Sequence, residues 1–213
     1  KLSEYSTSIT LNEALWQRIK HVYENRDKEN LDTEDMTLLK ETYESFARNG
    51  AKLEGEARET FKKLSAELSQ LSLQFEQNTV KETAAFEMWL TKDDLAGLPE
   101  SSIEAAALAA KQKGKEGQYL ITLQAPSYMP FMKYSSRRDL RQKLHNAYGR
   151  KNTSGEFDNT KIMARIAEIR LQIANLLGYK THAEYSLGKT MAENPENVYK
   201  LLNQLRDAYK KEK

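Results

Sequence analysis

At 213 residues, with 30% charged and 39% hydrophobic side chains and only 9 Gly and 4 Pro, the chain has the composition of a folded helical protein and not of a disordered one. Its 33 basic and 31 acidic residues leave a formal charge of +2, which gives no strong pull toward nucleic acid or a membrane surface. The absence of cysteine excludes disulfides and thiol chemistry, and no apolar run approaches the roughly 20 residues of a membrane span.

In chain order, Leu15, Ile19 and Val22 recur at helical spacing and predict a first helix from Thr10 to Asn25. Asp32 then starts a second, carrying Met36, Leu39, Tyr43 and Phe46, with Gly50 as a left-handed stop. The third helix, Glu54 to Thr83, has the clearest pattern. Ala57, Phe61, Leu64, Leu68, Leu71, Phe75 and Asn78 alternate steps of four and three, a coiled-coil seam in which Asn78 can set register. At about 1.5 Å per residue it spans about 45 Å. The short "NGAKLE" link predicts an antiparallel hairpin, residues 36–46 packing on residues 57–75.

The period then changes. "AFEMWL" and "QYLITL" read as strands and predict one small sheet from Phe86–Leu90 and Tyr119–Leu123, with an alanine-rich helix between them closed by Gly114. Pro126 and Pro130 frame an expected aromatic turn, after which Ser135 or Ser136 caps a helix to about Tyr148, stopped by Gly149. "NTSGEFDN" is a loop. Asp158 or Asn159 caps the next helix, whose Ile162, Ile166, Ile169 and Ile173 share a face, and Gly178 ends it. Asn194-Pro195 opens the last helix, striped by Val198, Leu201, Leu202, Leu205, Ala208 and Tyr209. The expected fold class is mostly α: one helical domain with a long antiparallel helical hairpin and a small two-stranded β element.

Chemistry is harder to find. A catalytic zinc needs three rigidly held ligands, commonly two His one helical turn apart. His21, His145 and His182 form no local pair, and no H-E-x-x-H occurs. There is no G-x-S-x-G, and "GKEG" lacks the spacing of a phosphate loop. Carboxylates such as Glu82, Asp93 and Asp94 are abundant, but spacing does not separate a general acid from a solvated face, and the ordinary surface role is the prevailing reading. Lys133, Arg137, Arg138, Arg141 and Lys143 follow Tyr128, Phe131 and Tyr134, a basic and aromatic mixture able to grip single-stranded nucleic acid. The bland reading of the same arginines is salt bridges and caps. No catalytic, cofactor-binding or metal-ligating residue is assigned.

Several segments together resemble the zinc metallopeptidase family of thimet oligopeptidase, oligopeptidase A and peptidyl-dipeptidase. They are "FARNGAKL" (Phe46 to Leu53), "FEQNTVKET" (Phe75 to Thr83), "DLAGLPE" (Asp94 to Glu100) and "TLQAPSYMPFMKYSSRRDLR" (Thr122 to Arg141), the most specific. "NTKI" (Asn159 to Ile162), "LLGYKTHAEYSL" (Leu176 to Leu187) and "MAENPENVYKLL" (Met191 to Leu202) complete the set. Their order matches the family's N-terminal half and covers nearly the whole chain.

The resemblance implies a larger enzyme whose two helical halves flank a narrow channel for short, unfolded peptides. Zinc in the other half, held by H-E-x-x-H and a later Glu, activates water there. Residues 1–213 are then expected to be the N-terminal, channel-wall region without the catalytic domain, inactive alone. Its partners are peptide substrates and its own C-terminal half, with no membrane or nucleic acid. The parent is expected to continue past Lys213. The expected compartment is the cytoplasm, with the periplasm also open. The competing reading is a helical coiled-coil module that docks a partner or nucleic acid.

Overall fold

The computed structural model describes residues 2–28 and 30–211. Among these, ten α-helices and two short strands divide into two compact units, one made of residues up to Leu71 and from Arg165 onward, the other of Ser72–Ala164. The division falls inside two helices, so no change of composition or linker marks it in the sequence.

In the first unit, α1 (Leu2–Thr10) and α2 (Glu13–Asn25) replace the single helix expected from Thr10 to Asn25. Asn12 is the reason: its side-chain oxygen accepts from the Leu15 N–H at 3.0 Å, capping a new helix. Leu11, just before the cap, turns into the core at 7% exposure. Asp32 caps α3 (Thr33–Phe46) as expected, accepting from the Asp35 N–H at 2.8 Å. Gly50 takes φ +89°, where a Cβ would meet the Phe61 ring at 2.9 Å.

α4 (Gly55–Ala85) is the long seam helix, and α8 (Thr160–Leu176) carries the isoleucine face. The expected packing of residues 36–46 on residues 57–75 gives way to a different pairing. α3 lies against α2, where Tyr43 stacks between Trp16 (5.1 Å between ring centroids) and Tyr23 (3.9 Å). Phe61 and Leu64 of the seam bury instead against Leu11, Ile169 and Ile173, with Leu68 and Leu71 half-buried at the margin. Burying each such side chain is worth about 1.5–3 kcal/mol. A heptad pattern tells that α4 has a partner face, and both α3 and α8 offer one with matching period. Farther along, Phe75 lies exposed. α9 (His182–Leu187) and α10 (Pro195–Lys211) complete this unit, with the Asn197 N–H donating to the Asn194 side chain at 2.9 Å.

In the second unit, β1 (Met88–Leu90) pairs antiparallel with β2 (Tyr119–Ile121) in the register Met88↔Ile121, Trp89↔Leu120, Leu90↔Tyr119. The ladder is shorter than the expected Phe86–Leu90 and Tyr119–Leu123, but lies within it. Around it stand α5 (Glu100–Gln112), α6 (Ala125–Tyr134) and α7 (Arg138–Gly149). Met88, Leu90, Ile121, Leu123, Phe131 and Leu144 form the core, the last two at 1% and 0% exposure.

α6 corrects the expected turn. Pro126 sits in its first turn, where a backbone N–H would have no helical acceptor anyway. Pro130 lies inside and withholds one internal hydrogen bond, which a ten-residue helix tolerates when Phe131 is anchored in the core. Ser127 Oγ holds the entry by accepting from the Thr122 N–H at 3.0 Å.

Candidate functional site

The segments that carry the family resemblance interlock in pairs, and each interlock lies within one unit. The loop at 94–97 meets the turn at 134–137. Arg137 pairs with Asp94 at 2.6 Å and with Asp139 at 2.8 Å. The Ser136 N–H donates to the Ala96 carbonyl at 2.7 Å. Gly97 lies so close that a Cβ there would stand 2.6 Å from Ser136 Oγ, and closer still to the Tyr134 carbonyl. Ser135, expected as a cap, sits buried and accepts from the Arg137 N–H at 3.2 Å, so Arg137 itself takes the cap position of α7.

A second interlock joins "FARNGAKL" to "LLGYKTHAEYSL". The Arg48 guanidinium donates to Tyr179 Oη at 3.0 Å and to the Tyr185 carbonyl, and lies 4.6 Å from the centre of the Tyr185 ring. Arginine suits this place because its planar fork can donate and stack at once. The third joins "FEQNTVKET" to the loop before α8. Asn159, 3% exposed, donates to the Phe75 carbonyl at 3.0 Å and accepts from Asn78 Nδ2 at 2.9 Å. Glu82 accepts from the Asn152 N–H, and Asn152 holds φ +60° while donating to the Phe157 carbonyl at 2.9 Å. The polar contact expected of Asn78 is therefore real, but its partner is a loop asparagine and not a facing helix. Arg48 carries no signal as a single residue, and Asn159 reads from sequence only as a candidate cap of α8, with no sign of its contacts to Phe75 and Asn78. The quoted segments containing them were the available signal.

The candidate chemical groups are scattered. His21, His145 and His182 stand on α2, α7 and α9, and His21 and His145 are exposed. His182 Nε2 lies 3.1 Å from Ser186 Oγ, and its imidazole is held below the usual pKa, first by burial and then by Arg170. Among the described residues no group of three or more His, Cys, Asp or Glu could hold a metal. Asp94 is used twice within its unit, by the Thr91 N–H and hydroxyl, both at 3.0 Å, and by Arg137. Those contacts lower its pKa, Thr91 first; the Arg137 hydrogen bond takes Asp139 down to about 2.

Of the basic cluster, Arg137 and Arg141 are engaged inside the unit, Arg141 through the Ser135 carbonyl. Tyr128 stacks on Tyr148 at 4.4 Å and Phe131 is core, so neither aromatic is a free platform for a base. A cavity of about 170 Å³ between α5, β2 and α6 is lined by residues such as Ala105, Leu120, Thr122 and Ser127, with no titratable group among them. The arrangement can hold loops and helices in place.

Comparison with known proteins agrees with the quoted segments. The model of "Peptidase family M3" matches residues 131–212. Oligopeptidase A of Haemophilus influenzae is 33% identical over 215 residues, covering 98% of this chain and 31% of that protein. The probable cytosolic oligopeptidase A of Arabidopsis thaliana is 37% identical over 201 residues, covering 91% and 28%. The dipeptidyl carboxypeptidase of Escherichia coli is 30% identical over 207 residues, covering 96% and 30%. The chain thus spans about three-tenths of the length of the curated relatives it matches.

Proposed function

We propose that this chain, which belongs to peptidase family M3, is a non-catalytic region of a larger zinc-dependent oligopeptidase or peptidyl-dipeptidase. In that role it forms one wall of the channel that receives short, unfolded peptides. The observation that carries the reading is the asymmetry of coverage. Nearly all of this chain aligns with proteins named oligopeptidase and dipeptidyl carboxypeptidase, while about 70% of each such protein lies outside the match.

The donor set supports the non-catalytic part of the proposal. Three histidines on three separate helices do not fit a zinc centre that needs three convergent ligands. The zinc and its activated water accordingly belong to residues outside this chain, and this chain's share of the work is to position and enclose peptide. Nucleic acid is not the proposed ligand, because Arg137 and Arg141 are committed to Asp94, Asp139 and the Ser135 carbonyl. No helix of the described residues is long and apolar enough to cross a membrane. The proposed compartment is the cytoplasm, in keeping with the relative named cytosolic.

The test is a chimera in which this chain replaces the matching segment of Haemophilus influenzae oligopeptidase A. The expected result is zinc-dependent cleavage of a quenched fluorescent peptide by the chimera, and neither tight zinc nor turnover in the isolated chain. A chimera that folds and binds zinc but leaves every short peptide intact overturns the reading. So does stoichiometric zinc with turnover in the isolated chain.

A further inference from the structure

Among the described residues, His182 Nδ1 is the side-chain polar atom shut off from solvent without a hydrogen-bond partner. Its other ring nitrogen, Nε2, lies 3.1 Å from the hydroxyl of Ser186, one turn along α9. A neutral imidazole has one N–H and one lone pair, so the single contact to Ser186 leaves one uncharged polar atom unpaired. An imidazolium has two N–H donors. Nδ1–H is then a charged donor facing no acceptor, which costs more.

The ring sits where α9 meets the rest of the first unit. Its centre lies 6.0 Å from that of Tyr185, which stands edge-on to Tyr179 at 5.4 Å. Arg48 lies over Tyr185 and donates to the Tyr185 carbonyl and to Tyr179 Oη. The charged groups around the ring do not favour an imidazolium. Arg170, on α8, adds a like charge. Arg48 brings a second cation from the segment after α3. Of the carboxylates, Glu41 and Glu44 on α3 are paired with Lys189. On α9 itself Glu184 accepts from the Lys180 N–H at 2.9 Å, and Glu196 in the first turn of α10 is exposed. Among the described residues no carboxylate is bonded to the ring.

We propose that His182 makes α9 an acid-sensitive latch, in which protonation of the ring releases α9 from its contact with Arg48. The inference goes beyond the peptidase reading and does not depend on it. Enclosure of the ring, and then the Arg170 charge, hold its pKa below the usual value of 6.5. The open form therefore takes up a proton first as pH falls. The closed form keeps its full stability above pH 6.5 and loses it progressively below. Because Arg48 is held by Tyr179 and Tyr185, release of α9 also undoes the link between "FARNGAKL" and "LLGYKTHAEYSL".

Hydrogen exchange of the full 213-residue chain at about pH 7.5 and about pH 5.5, corrected for the intrinsic pH dependence of exchange, tests this. Residues 179–187 are expected to lose protection by at least about twofold at the lower pH, while residues 61–71 of α4 in the same unit keep theirs. His182→Gln, whose amide can still meet Ser186 but takes no charge, is expected to remove the difference. His145→Gln, on exposed His145 of α7 in the second unit, is expected to leave it intact. NMR titration of the histidine rings in the unmodified chain is a second readout. One ring is expected to titrate below pH 6.5, in step with the loss of protection. Equal protection of residues 179–187 at both pH values overturns the proposal, as does an acid loss that persists in His182→Gln. If that variant does not fold, a loss of protection out of step with every histidine ring overturns it.

Discussion

Replacing Gly97 with alanine isolates the contact between the 94–97 loop and the 134–137 turn. Gly97 holds φ +89°, a conformation that costs a residue with a Cβ about 1–2 kcal/mol. The added methyl also meets the Tyr134 carbonyl, Ser136 Oγ at 2.6 Å and Ser136 N at 3.0 Å. Two of these three atoms are backbone, so they cannot swing aside. Overpacking of this kind costs a further ~1–3 kcal/mol. The relief available is to part the loop from the turn, which breaks the 2.7 Å bond from Ser136 N–H to the Ala96 carbonyl. The expected loss is therefore about 2–5 kcal/mol from the stability of the second unit. Gly114→Ala is the control, since Gly114 also has positive φ (+76°) but nothing within 4 Å of an added Cβ. Only the conformational cost of about 1–2 kcal/mol applies there. Urea titration followed by hydrogen exchange of the peptides around β1 and β2 reads this unit directly. Equal losses for the two variants would show that the close approach at Gly97 carries no energy.

Two further predictions concern the other charged contacts. Arg48→Lys keeps the charge but loses the fork that serves Tyr179, the Tyr185 carbonyl and the Tyr185 ring, so it should destabilise the first unit by about 1–3 kcal/mol, nearly as much as Arg48→Ala. Exchange rates across residues 179–187 check it, and a wild-type rate in Arg48→Lys refutes it. Asp94 and Asp139 both have pKa values lowered below 3.8 in the folded chain, Asp139 to about 2, so the unfolded chain binds more protons in that range. Stability present above pH 3.8 should then be lost as pH falls toward 2, and Asp139→Asn should flatten this acid limb, measured as urea midpoints at pH 5 and pH 3.

How much of this was legible depended on whether a residue's partner was near in sequence. Asp32 and Asn194 cap helices through contacts three residues away, and both were readable as caps. The two strands were readable because "AFEMWL" and "QYLITL" are short aromatic and β-branched runs, the residue types that suit a buried pleated ladder. The partner of α4 was not readable. A heptad seam states that a helix face is apolar, and the choice between α3 and α8 depends on aromatic stacking of Tyr43 on α2 that no local pattern encodes. α6 failed for the opposite reason: two prolines argue locally for a turn, and burial of Phe131 at 1% exposure overrides them.

The same distinction explains why the quoted segments were more informative together than singly. Asp94 and Arg137 are 43 residues apart, Asn78 and Asn159 are 81 apart, and Arg48 and Tyr179 are 131 apart. Each partner alone is an ordinary surface residue type, and no spacing rule connects them. Yet each of the three pairs joins one quoted segment to another, so a segment's residues are constrained by a contact made far along the chain. Changing one side alone leaves a charge or an amide without its partner, which costs more than replacing both. The basic stretch from Lys133 to Lys143 is the plainest case. Its composition suits nucleic acid, but two of its arginines, Arg137 and Arg141, are spent on contacts within the fold, with Asp94, Asp139 and the Ser135 carbonyl.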